Sequence, residues 1–255
     1  MSMGCRLGRA LLWGTLLVTL WSGAVHATVP EEGFGEISCL LEPGRHARLS
    51  SQVPGIIATM AVKPGSRVKR GETLFVLRRE LEQVSLELET TRDAYVQRRF
   101  DRSHRLIENN ILSDSERDEM ITELALTRMQ LALARARFVQ METQAPFDGL
   151  ISQIHAEEGE YVDASPVLEL IQLHPLRVET VLPHTEYGRV RPGDRIELYI
   201  NAPLDQTVIG RVEYVDTVID ASSATFGVRL LINNPDRKLM PGVGCSLLRH
   251  VKAVN

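Results

Sequence analysis

Two hydrophobic periods divide this chain. Over 78–141, where neither Gly nor Pro occurs, apolar and small residues return at steps of three and four. The first run is Leu77, Leu81, Val84, Leu88, Thr91 and Tyr95; the second is Met120, Leu124, Thr127, Leu131, Ala134, Phe138 and Met141. Such steps mark helices that bury one stripe against another helix. The first stripe passes into Arg98, Arg102 and Arg105 and then reaches Asn109-Asn110, which is turn chemistry. Ser113, with Glu116 three residues on, forms a capping box that opens the second helix. The arms are nearly equal, roughly 30 residues and on the order of 45 Å each at 1.5 Å per residue. They predict an antiparallel helical hairpin. One apolar stripe per arm suffices for the other arm and little else, so the hairpin is expected to project.

On either side of this segment the runs shorten and Gly-containing turns punctuate them. Residues 53–77 and 147–171 align without a gap: Gly55 with Gly149, Ile57 with Ile151, Gly65 with Gly159, Val68 with Val162, Leu74 with Leu168 and Leu77 with Ile171. A repeat of this kind is one supersecondary unit used twice. About 25 residues bury too little to be stable alone, so the copies are expected to share one small sandwich. Beyond it, alternating runs at 176–182, 195–200, 207–219, 225–232 and 245–251 are separated by Pro192-Gly193-Asp194, Asn233-Asn234-Pro235-Asp236 and Pro241-Gly242. A short helix is expected within 183–191. The fold class predicted is mainly β with an α-helical hairpin: a sandwich at 51–77 plus 144–172, split by the hairpin at 78–143, then a small β-barrel at 173–255. Residues 28–50 form an N-terminal segment expected to pair with the barrel.

The N-terminus changes the picture of where the chain resides. Arg6 and Arg9 precede an apolar run at 10–20, and Val25-His26-Ala27 is a small-residue cleavage pattern. This describes a secretory signal peptide at 1–27. The apolar run is nearer ~13 residues than the ~20 a spanning helix needs, so cleavage is expected rather than a retained anchor. Cys5 lies ahead of that run, where it cannot serve as a lipoprotein cysteine. The mature chain then holds Cys39 and Cys245. In an oxidising compartment these two form a disulfide, or else serve as two small buried hydrophobes; both readings stand on sequence.

Composition narrows function mainly by exclusion. The 255 residues carry a formal charge of −4 and 5% aromatics, without a basic domain, so no nucleic-acid partner is expected. His46, His104, His155, His174 and His184 are scattered, without HExxH spacing, and no Ser lies in a GxSxG setting. Glu157-Glu158 falls in a turn and reads as solvated. Met120, Met129 and Met141 share the second arm, where packing accounts for Met120 and Met141. No catalytic residue, metal site or cofactor is expected, and the chain reads as a non-enzyme.

The layout resembles the periplasmic adaptor subunits (membrane fusion proteins, the HlyD family) of tripartite efflux systems, over nearly the whole mature chain. The return from the hairpin, Ala145-Pro146-Phe147-Asp148-Gly149, is similar to that family's signature. So is the stretch from Gly227-Val228-Arg229 through Asn234-Pro235 to Leu239-Met240-Pro241-Gly242. The resemblance implies a lipoyl-like barrel-sandwich hybrid and a coiled-coil hairpin. It also implies that Arg102, Leu106 and Ser113, spaced as in family tips, engage a TolC-type outer-membrane channel. Further implied are an inner-membrane transporter of the RND (resistance-nodulation-division) type, a ring of copies (a hexamer or trimer of dimers), and a periplasmic location peripheral to the inner membrane. An ABC-type or type I secretion partner is the alternative. Many members carry a fourth, membrane-proximal domain, and after the barrel this sequence is expected to hold no complete one. A lipoyl or biotin carrier would present a Lys on the turn joining the two halves. Here the hairpin replaces that turn, and no Lys occurs between Lys69 and Lys238.

Overall fold

The computed structural model of the protein describes residues 33–108 and 113–251. The signal peptide expected at 1–27 and the turn expected at Asn109-Asn110 lie outside the described residues. In chain order the strands before the helices are β1 (Gly33–Glu42), β2 (His46–Ser50), β3 (Gly55–Met60), β4 (Arg67–Val68) and β5 (Thr73–Leu77). The helices are α1 (Glu80–Glu108) and α2 (Asp114–Gln140). After them come β6 (Glu142–Gln144), β7 (Gly149–Ile154), β8 (Tyr161–Val162), β9 (Pro166–Ile171), β10 (Leu176–Pro183), β11 (Arg195–Ile200), β12 (Gln206–Val215), β13 (Thr225–Ile232) and β14 (Gly244–Val251).

The repeat folds as an intertwined pair. Its first copy supplies β3, β4 and β5, its second β7, β8 and β9, and the two sheets run β2-β9-β7-β4 and β6-β5-β3-β8. Each copy therefore lends its short middle strand to the other copy's sheet. Aligned residues make equivalent bonds across the exchange. Gly55 pairs with Val162 as Gly149 pairs with Val68. The Gly65 N–H donates to the Ile151 carbonyl at 2.8 Å, and the Gly159 N–H to that of Ile57 at 2.9 Å. Gly65 and Gly159 both take positive φ, +83° and +90°, which a turn glycine adopts without strain. Ile57, Leu74, Leu77, Ile151 and Leu168, from the aligned positions, are buried in one core with Phe75, Val167 and Leu170.

α1 and α2 pack against each other, and their main contact with a sheet is at β6, the strand that follows α2. α2 buries Leu124, Thr127 and Ala134, and Met120, Leu131, Phe138 and Met141 are half-buried, as the second stripe predicts. α1 differs from expectation. Its predicted stripe faces solvent: Leu81 is 81% exposed, Val84 64%, Leu88 63% and Tyr95 55%. The inward positions are Glu82, Leu86, Glu89, Asp93, Val96 and Phe100, of which Val96 is fully buried and the others partly. The cause is a lost phase. Leu77 ends β5, and Arg78 and Arg79 are not helical, so a helical period cannot be carried from Leu77 into α1. The long stems of Glu82 and Glu89 lie on the seam, and one Glu89 carboxylate oxygen and one of Asp93 are buried there without a hydrogen-bond partner among the described residues.

The remaining strands close a barrel in the order β1-β10-β13-β12-β11-β14. Alternation decides which side chains fill it: Leu176, Val178 and Leu182 of β10, Ile196, Leu198 and Ile200 of β11, and Phe226, Val228, Leu230 and Ile232 of β13. β1 closes the barrel between β10 and β14. Cys39 stands opposite Cys245 in that pairing, with Cα atoms 4.8 Å apart and the sulfurs joined. The short helix expected within 183–191 is reduced to a 3₁₀ turn, His184–Glu186; Gly188, at φ +83°, follows it in a conformation no helix continues through.

Candidate functional site: the helical hairpin

The hairpin is rooted by a set of bonds that leave the strand-to-helix junctions little freedom. The Leu77 N–H donates to the Met141 carbonyl at 2.8 Å, and the Arg78 N–H to that of Ile56 at 2.8 Å. The Arg79 guanidinium lies 4.4 Å from the centre of the Phe138 ring, a cation–π contact between the entry to one arm and the exit of the other. The same Arg79 donates to Glu142 at 3.2 Å. The Thr73 hydroxyl and the Gln144 amide donate to the other Glu142 oxygen at 2.5 and 3.1 Å. These donors, Thr73 first and then Gln144, hold the Glu142 carboxyl below its usual range. Sequence patterning missed this clamp, because its members come from three elements; its one visible signal was the Arg78-Arg79 pair at the boundary of the helical period.

The sequence signature at the return is structural. Ala145 is buried, its N–H donating to Glu72 and its carbonyl accepting from Gly71. Asp148 accepts from the Arg70 N–H at 2.7 Å. A Cβ on Gly149 would stand 2.5 Å from the Ile171 carbonyl oxygen. The barrel motif has an equivalent. The buried Asn234 amide donates to the Leu173 and Leu239 carbonyls, both at 2.9 Å, and accepts from the Leu239 N–H, while its backbone N–H donates to His174 Nδ1 at 3.0 Å. This asparagine ties the link leaving the sandwich to the barrel.

Along the shaft, Arg99 pairs with Glu123 at 3.1 Å and Arg128 donates to Gln97 at 2.6 Å, setting the level of one arm against the other. At the far end, Ser113 caps α2. Its hydroxyl accepts from the Glu116 N–H and donates to the Glu116 carboxylate at 2.7 Å, and the Ser113 N–H donates to the same carboxylate at 2.9 Å. These bonds hold the Glu116 carboxyl below its usual range. Arg102 is exposed on α1. Leu106 belongs to α1 by its backbone, but its side chain lies outside the described residues. Of the three tip residues, then, Ser113 is committed to a cap and Arg102 presents a guanidinium to solvent.

Elsewhere, His46 and His155 converge on Glu169 at 2.9 and 3.4 Å, but Arg48 joins the same carboxylate at 3.3 Å and makes the cluster an ion-pair network. Among the described residues, no group of three or more His, Cys, Asp or Glu side chains is arranged to hold a metal ion, and no helix is long and apolar enough to cross a membrane.

Residues 45–171 match a CzcB-like barrel-sandwich hybrid domain, and residues 176–248 a CusB-like beta-barrel domain. The cobalt-zinc-cadmium resistance protein CzcB of Cupriavidus metallidurans is 26% identical over 253 residues, covering 90% of this chain and 46% of that protein. The efflux pump periplasmic linker BepD of Brucella suis is 25% identical over 240 residues, covering 81% of this chain and 60% of its own length. The chain thus spans about half the length of the curated relatives it matches. In fold it is similar to a MacA–MexA chimera carrying the Pseudomonas aeruginosa MexA α-hairpin domain, with a TM-score of 0.73 at 17% identity, over 84% of this chain and 81% of that one. A sandwich whose halves are parted by a hairpin, with a barrel after it and these two domain matches end to end, places the chain in the membrane fusion protein family, with a CzcB-like barrel-sandwich hybrid followed by a CusB-like β-barrel.

Proposed function

We propose that the protein is a non-catalytic periplasmic adaptor that links an inner-membrane efflux transporter, of the RND type, to an outer-membrane channel and so supports export of small molecules. The observation that carries this reading is the hairpin itself. The turn that joins two half-sandwiches is replaced by two helices of 29 and 27 residues, clamped at the sandwich end by Arg79, Phe138 and Glu142. A lever of about 40 Å suits the bridging of two partners. The leader read at 1–27 agrees with a periplasmic place of action. In this reading the sandwich and barrel sit near the inner membrane and Arg102, Leu106 and Ser113 meet the channel. Copies assemble as a ring, a hexamer or trimer of dimers, because one tip offers little area and multivalency supplies the affinity. The Cys39–Cys245 bond forms in the exported protein, supported by their direct opposition across β1 and β14.

The test is export from cells lacking the gene, complemented with the wild type or with Arg102→Asp or Leu106→Asp. Both variants are expected to accumulate as folded periplasmic protein without restoring export. Full export by both would overturn the tip assignment. A deletion without any export phenotype, together with no transporter or channel captured by periplasmic cross-linking, would overturn the adaptor reading.

A further inference from the structure

Two stretches of chain join the sandwich to the barrel, 43–45 after β1 and 172–175 before β10, and a short set of bonds ties them together. The Gly44 N–H donates to the Gln172 carbonyl at 3.0 Å, and the Gln172 N–H to the Arg45 carbonyl at 2.8 Å. A Cβ on Gly44 would collide with the Pro175 carbonyl oxygen, so the stretches touch backbone to backbone. From the barrel, the buried Asn234 holds the second stretch through the Leu173 carbonyl and through His174, whose Nδ1 accepts the Asn234 N–H at 3.0 Å. That last bond depends on the charge of the ring. A backbone N–H only donates, so Nδ1 must accept, which fixes a neutral imidazole with its proton on Nε2. A charged imidazole carries a proton on each nitrogen and has no acceptor to offer.

We propose that His174 is an acid-sensitive latch: its neutral ring holds the link to Asn234, and so the sandwich to the barrel, and its charged ring lets Asn234 go. The other histidines whose side chains are described respond the opposite way. His46 and His155 face the Glu169 carboxylate, and His184 Nδ1 faces the Ala224 carbonyl at 3.2 Å. Each of those partners is an acceptor, which a charged imidazole serves more strongly. Of these four rings, only His174 loses its bond on protonation. The charges around it favour release once it is charged. His174 lines a cavity of about 120 Å³ with Arg67 from β4, Asp148 from the approach to β7 and Arg237 from the loop after β13. Asp148 already accepts from the Arg70 N–H. On the neighbouring stretch Arg45 stacks on the Phe147 ring, and Asp236 and Lys238, beside Arg237, pair with each other. A proton on His174 would therefore add a third positive group to Arg67 and Arg237, against one carboxylate. Histidine changes charge between about pH 5 and 8, so the latch closes at mildly alkaline pH and opens on acidification. Once it opens, the link keeps the Leu173 bond and the Gly44–Gln172 stitch, and the barrel's hold on the sandwich loosens. The inference concerns the fold's own link and does not depend on the adaptor reading.

The test uses the full exported chain, labelled with nitrogen-15, and follows two signals from about pH 8 to about pH 5. One is the His174 ring nitrogens. The other is hydrogen exchange at the Asn234 amide, corrected for the intrinsic pH dependence of exchange. Protection of that amide is expected to fall about tenfold as the His174 ring takes up its proton, the size of one lost hydrogen bond. In His174→Asn, the side-chain oxygen can accept the same N–H but takes up no proton, so the step is expected to vanish. His174→Phe removes the acceptor at every pH and is expected to leave Asn234 as weakly protected at pH 8 as in the acidified wild type. Wild-type protection that stays constant while the ring titrates would overturn the latch. So would a pH step that persists in His174→Asn, or full protection in His174→Phe. The wild-type titration reads the latch directly, so it decides the question even where a variant misfolds. Export is not measured, so failure here leaves the adaptor reading untouched.

Discussion

Gly55 and Gly149 occupy the same position in the two copies, yet their surroundings differ by one atom type. A Cβ on Gly149 would meet a backbone carbonyl oxygen at 2.5 Å; a Cβ on Gly55 would meet a Leu77 methyl at 3.0 Å. Backbone in a ladder cannot move aside, whereas the end of a leucine can. Gly149→Ala is therefore expected to destabilise the fold by about 2 kcal/mol or more and Gly55→Ala by less than about 1 kcal/mol, by the cost of overpacking, as measured by chemical denaturation. The repeat made both glycines visible in the sequence. What distinguished them was not visible, since the carbonyl belongs to Ile171, brought beside Gly149 only by the β7–β9 pairing. Asn234 shows the same limit: its dipeptide reads as a turn, but its part in holding Leu173, His174 and Leu239 depends on a link from another element. Asn234→Ala is expected to cost about 2–3 kcal/mol, because it strands buried carbonyls and an N–H, and to lower the midpoint of the same denaturation curve.

At the scale of the element, α2 was legible and α1 only half so. α2 begins at a capping box and keeps one phase throughout, so its stripe could be read directly. α1 follows a strand, and its more apolar face is the outer one, so hydrophobicity alone selects the wrong side. Substitutions separate the two faces. Val96→Asp puts a charge into the seam and is expected to melt the hairpin, seen as a loss of helical circular dichroism at lower temperature. Leu88→Asp, on the outer face, is expected to leave that melting within about 0.5 kcal/mol of wild type. The root clamp adds a pH dependence. Thr73, Gln144 and Arg79 hold the Glu142 carboxyl below its ordinary value of 4.5. A carboxyl depressed in the folded state lends stability that is present above its unfolded value and lost as pH falls through its folded one. The hairpin is therefore expected to weaken below about pH 4.5, and Glu142→Gln to flatten that acid limb of the stability curve while leaving the neutral side little pH-dependent.

For the whole molecule, each strand of the barrel was marked by its alternation and turns, but their order was not. β1 and β14 lie at opposite ends of the described chain, and no local pattern links them. The sequence offered the two cysteines and left open whether they pair or simply pack. In the structure Cys39 and Cys245 face each other at a sequence separation of 206, in the pairing that closes the barrel. Between them lie the whole sandwich and the hairpin, so a bond at this place restrains almost the entire unfolded chain. Loop-closure reasoning gives a cross-link over a loop of this length about 5 kcal/mol, chiefly by limiting the denatured ensemble. The Cys39→Ala, Cys245→Ala double variant is expected to lose about that much. Both sites are buried and apolar, so alanine leaves the strand pairing intact, and the barrel should still close in the folded state. Denaturation with and without reductant checks this. Reductant should shift the wild-type curve towards that of the double variant and leave the double variant unmoved. Alkylation of the unfolded wild type should add mass at Cys39 and Cys245 only after reduction. If alkylation labels both residues without reductant, the cysteines merely pack, and closure of the barrel then rests on β1 hydrogen bonding and on the core contacts of Ile37, Cys39 and Leu41.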